Sequence, residues 1–172
     1  MKRIVLPLLV SLCFFSESLF VQFFPRDVFG GRFIIAPHFL LVMLLLMGIY
    51  YLRNQTYLYA FIFGLIFDIT NTGIMGVYLF LFPLAVYITS KMMKVLQSNI
   101  LIAAFVTIFN VAVVEFLVYG LNILINHVTI PMVNFINLRL GPTLIASLVF
   151  FIIFSYPLKI FLERRKKEIL DV

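Results

Sequence analysis

Three carboxylates interrupt otherwise apolar stretches of this 172-residue chain: Glu17, Asp68 and Glu115. A carboxylate facing hydrocarbon is costly, so each should face other protein, a cavity or water. Two roles suit such a group. Protonated, it can donate a hydrogen bond that fixes helix packing; otherwise it can serve a proton or ligand site, as intramembrane acids do in pumps and transporters. The spacing around two of the acids favours an inward face. Gly64, Asp68 and Thr72 recur at i, i+4 and i+8, a small and polar stripe. Glu115, Tyr119, Asn122 and Asn126 form a second stripe at helical spacing. The face of Glu17 carries Cys13, Phe20 and Phe24, and Arg139 is the nearest candidate counter-ion.

Other chemistry is poorly supplied. There is no G-x-S-x-G, no P-loop and no H-E-x-x-H. Ser16 and Ser18 flank Glu17 without a histidine near them in the sequence map. Lone Cys13 excludes an internal disulfide and a thiolate-only metal site. His38 and His127 fall at predicted segment edges and read as interfacial polar residues, so no metal or other cofactor is expected. The formal charge of +6 raises nucleic acid as a partner, but the basic residues gather at helix ends without a basic-aromatic binding surface. They read as topology signals.

The elements that must position these residues are membrane helices. The chain is 64% hydrophobic, in blocks near the roughly 20 residues needed to span a bilayer. Only helices or a closed barrel satisfy the backbone in lipid. The blocks are apolar on all sides rather than alternating, so helices are expected. The expected fold is one all-α bundle of six spans, near residues 4–24, 33–52, 57–70, 74–90, 100–125 and 138–161. Lys2 and Arg3 before an apolar run could open a secretory signal, but Glu17 interrupts it without a small-x-small cleavage site; an uncleaved first helix is expected. Pro25 with Gly30-Gly31, the polar Arg53-Asn54-Gln55, Asn71-Thr72-Gly73, the basic stretch 91–99, and 126–137 with Pro131 supply the breaks. The third span is short, and a re-entrant hairpin is its alternative.

Charge orients the bundle. With the N-terminus in the cytoplasm, the inner side receives Lys2, Arg3, Arg53, Lys91, Lys94, Lys159 and the run Arg164 to Lys167, while the outer side receives Arg26, Arg32 and Arg139. That asymmetry follows the positive-inside rule and puts both termini in the cytoplasm. Glu17, Asp68 and Glu115 then each lie roughly 20–24 Å from the inner end of their helices, at 1.5 Å per residue. They are expected to approach a shared polar region open toward the outside. Tyr50, Tyr51, Tyr57 and Tyr59 read as an inner aromatic belt.

Several of these segments together resemble the MreD family of bacterial rod shape-determining membrane proteins. Pro37-His38-Phe39-Leu40-Leu41 looks like the family's Pro-rich entry to the second span. Tyr59 to Asp68 is similar to its G-x-x-x-D core, with Gly64 and Asp68 in the matching places and Gly73 and Gly76 following. One departure is a short spacing, Ile69-Thr70-Asn71-Thr72, before Gly73. The resemblance implies a non-enzymatic component of the cell-elongation machinery. It would work with MreC, MreB, RodA, RodZ and a class B penicillin-binding protein, among membrane lipids and without nucleic acid. It also implies a fold like the substrate-binding subunits of energy-coupling-factor vitamin transporters. Such a substrate-binding subunit is therefore the alternative function, and a proton-coupled carrier a third. As partner or pocket residues the reading offers Glu17, Gly64, Asp68, Thr72, Gly73, Gly76, Glu115, Tyr119, Asn122 and Arg139.

Overall fold

The computed structural model describes residues 5–23, 35–96, 99–126 and 131–170. Six helices make up these residues: α1 (Val5–Phe23), α2 (Phe39–Tyr50), α3 (Arg53–Phe67), α4 (Val77–Val95), α5 (Ile100–Asn126) and α6 (Met132–Leu170). A π-helical turn, Asp68–Thr72, continues α3; another, Ile136–Leu140, lies within α6 ahead of its long regular run from Gly141. Expectations resting on Lys2, Arg3, Phe24, Pro25, Arg26, Gly30, Gly31, Arg32 and His127, and on the Asn126 side chain, lie outside the described residues.

The centre of the bundle is α2. Every residue from Leu40 to Met47 is buried, as suits a helix apolar on all sides. It packs against α1, α3, α4, α5 and α6. It has 12 residues, about 18 Å of helix, against a hydrocarbon thickness of about 30 Å. The expected second span, 33–52, is thus too long as a helix. Pro37 lacks an N–H, and 35–38 are non-helical, so the helix begins inside the protein. Four of the other helices (α1, α4, α5 and α6) are long and apolar enough to cross a membrane.

Helices α3 and α4 form the tightest pair, an antiparallel hairpin. Gly64 makes the approach close: a Cβ there would lie 2.6 Å from the Tyr78 carbonyl oxygen and 2.9 Å from Leu79 Cα. Gly73 at φ 67° and Gly76 at φ 108° turn the chain between them, in a region costly for residues with a Cβ. Two expected breaks move. Arg53-Asn54-Gln55 is the first turn of α3 rather than a loop, because Tyr51 and Leu52 already reverse the chain. Lys91 and Lys94 belong to the last turns of α4, which runs on to Val95.

Candidate functional site

Glu17, on α1, is 4% exposed, and its Oε2 accepts the Leu40 backbone N–H at 3.0 Å. A helix start leaves its first amides without intrahelical partners, and at α2 those amides are buried. His38, just before the helix, gives no side-chain cap. The carboxylate on the neighbouring helix satisfies the amide that a capping side chain would have taken.

Asp68 solves the same problem at α4. The flanking residue there is Gly76, which has no side chain to cap with. The fully buried Asp68 carboxylate accepts the backbone N–H groups of Gly76, Tyr78 and Leu79 at 2.9, 2.9 and 3.0 Å. Its own carbonyl accepts the Gly73 N–H at 3.0 Å, the wide ring that defines the π turn. Thr72 Oγ1 donates to the same carbonyl at 3.0 Å. The G-x-x-x-D segment therefore closes a hairpin: Gly64 admits α4, and Asp68 holds its first turn.

Glu115, on α5, is fully buried between two bases. His38 Nε2 lies 2.6 Å from its Oε1, and Arg139 Nε donates to its Oε2 at 2.9 Å. His38 Nδ1 faces Glu17 Oε1 at 3.7 Å, beyond a hydrogen bond. Glu17, His38, Glu115 and Arg139 thus form a chain from α1, past the start of α2, to α5 and the π turn of α6. Two carboxylates against one guanidinium leave a negative charge, which an imidazolium at His38 would balance.

His38 is only 2% exposed. The sequence placed it at an interface, and the structure places it between two acids at the centre. The available signal was Pro37-His38 directly before the most uniformly apolar run, where a helix start would be buried with its flanking residue. Among the described contacts, Asp68 does not join this chain, since its oxygens are spent on α4.

A cleft of about 300 Å³ opens beside Arg139. Its polar wall is Asn71 and Thr72 from the π turn of α3, Asn122 from α5 and Arg139 from α6. The Arg139 side chain is 30% exposed, so it joins the buried chain to the cleft. Tyr119 does not line it; its ring stacks on Phe135 at 4.2 Å between centroids, pinning the start of α6 to α5. Gly73 and Gly76 shape the turn at the cleft's edge.

Over residues 2–165 the sequence matches the family described as rod shape-determining protein MreD. The chain belongs to the MreD family. It is 31% identical over 171 residues to the rod shape-determining protein MreD of Bacillus subtilis (strain 168), covering 99% of each chain. Its role accordingly lies in bacterial cell shape, and its apolar helices suit a multi-pass membrane protein. No solved structure matches the chain, so the fold likeness to vitamin-transporter subunits finds no support. The Pro37-His38 pair thus precedes the buried start of α2, and the Gly64 to Asp68 segment holds the start of α4.

Proposed function

We propose that this protein is a non-enzymatic membrane scaffold of the elongation machinery, with both termini in the cytoplasm. Its partners would be MreC foremost, then MreB, RodA, RodZ and a class B penicillin-binding protein. The polar cleft between the α3 turn, α5 and Arg139 is the surface on which the membrane helix or adjoining segment of MreC docks. Family membership along the chain supports the role. The cleft carries the docking reading: it sets a polar wall against an apolar one, is partly open, and is braced at Arg139 by the Glu17–His38–Glu115–Arg139 chain. Asn71 offers an amide suited to a partner's backbone or polar side chains, beside Thr72 and Asn122, which are tied to Asp68 and Val118 and hold that wall in place.

The test is site-specific photocrosslinking in cells from positions 71 and 122, compared with the lipid-facing positions Leu8 and Leu101. Capture of MreC from the cleft positions is the expected result. Capture only from Leu8 or Leu101 refutes cleft docking, and failure of MreC to co-purify with the intact protein refutes the partnership.

A further inference from the structure

A second crevice lies at the opposite end of the bundle. It occupies about 300 Å³ and is lined by Ile49 and Tyr50 at the end of α2 and by Glu163, Lys166, Lys167 and Leu170 on α6. Tyr50 is 4% exposed, and its hydroxyl is buried without a hydrogen-bond partner. A buried hydroxyl left unpaired is costly, so a native structure that keeps one needs a reason. The Lys159 ammonium sits 5.3 Å above the ring of the same tyrosine, adding positive charge beside the crevice.

The depth of the crevice follows from helix length. Regular α-helix in α6 starts at Gly141, next to Arg139. Some 20 residues onward, about 30 Å, reach the far edge of the hydrocarbon near Phe161. Glu163 to Leu170 therefore leave the membrane among the lipid headgroups. There a crevice with two lysines, an unpaired phenol and apolar walls at Ile49 and Leu170 meets molecules that are half charged and half hydrocarbon.

We propose that this crevice binds the headgroup of an anionic glycerophospholipid. The phosphodiester oxygens lie against Lys166 and Lys167 and accept the Tyr50 hydroxyl. Glu163 accepts hydroxyl donors of a headgroup such as glycerol, and the upper acyl chain covers Ile49 and Leu170. Basic pockets between membrane helices recognise lipid headgroups in this way. The proposal stands apart from the docking function, because it concerns the other end of the bundle and the protein alone.

The experiment is titration of the purified full-length protein in detergent with phosphatidylglycerol or phosphatidylcholine, reading retained lipid by native mass spectrometry. Saturable retention of phosphatidylglycerol alone is expected. The double variant Lys166→Gln, Lys167→Gln should weaken it about thirtyfold, the scale of two lysines at a charged lipid surface. Tyr50→Phe removes only the hydroxyl that donates to the charged phosphodiester and should weaken it about tenfold, with an unchanged melting temperature confirming the fold. The control pair Lys91→Gln, Lys94→Gln, on α4 outside the crevice, should leave retention as in wild type. Equal loss in the control pair reduces the effect to general surface charge and overturns the proposal. So does displacement by millimolar inorganic phosphate, which marks a site for a free anion, or by polyglutamate, which marks a surface for an acidic protein.

Discussion

At the scale of single residues, each membrane acid has a definable electrostatic task. Asp68 accepts three backbone amides, and asparagine has only one acceptor oxygen to offer them. Asp68→Asn should therefore destabilise the protein by about 1–3 kcal/mol despite its matching shape, measured as a lower unfolding midpoint in detergent. Glu115 answers two bases at once. Glu115→Leu leaves Arg139 and His38 without their shared carboxylate and should cost about 3–5 kcal/mol. The combined Glu115→Leu, Arg139→Met replacement should recover part of that loss, because the guanidinium is then no longer stranded beside the apolar side chain; a double variant no more stable than the single one would show that the loss does not come from Arg139. The sequence disclosed these acids through the cost of charge in an apolar run. Their partners were less legible. Arg139 was anticipated for its sign and its side of the membrane, whereas His38 was missed because a residue at a hydropathy boundary looks interfacial.

At the scale of elements, α2 begins in the protein interior and α4 at the edge of the cleft, and each start is capped from a different helix. Glu17 serves α2, and Asp68 serves α4. Local sequence rules seek a cap immediately before a helix; here those positions hold His38, which gives no side-chain cap, and Gly76, which has no side chain to give. The caps come from 21 and 8 residues upstream of those positions, and no local rule reaches that far. The hairpin of α3 and α4 depends on backbone contact at Gly64. Gly64→Ala should force the helices apart at the cost of about 1–3 kcal/mol, seen as thermal destabilisation. Gly120→Ala is the matched control, since a Cβ at Gly120 meets nothing within 4 Å and should cause no loss. The turn glycines Gly73 and Gly76 were legible as turn formers, but the π turn that aims Thr72 and Asn71 toward the cleft was not.

At the scale of the whole molecule, the bundle has two different ends: an ion-pair chain with a polar cleft at one, a basic helix extension at the other. If charge orients it as proposed, single cysteines at Leu96 and Leu170 should resist a membrane-impermeant thiol reagent in intact cells, in a Cys13→Ala background, while one at Met75 should react. Labelling of Leu96 or Leu170 would reverse or break the orientation. The sequence by itself determined a helical membrane protein and the residues that could not face lipid, because hydropathy and the cost of burying ions act on composition and local spacing; the family came from the resemblance of its Pro37 and Gly64-to-Asp68 segments. Only the tertiary structure decided which acid meets which base and which helix starts inside. A short all-apolar α2 can be placed at the centre, and a histidine between two acids, only once five other helices surround them.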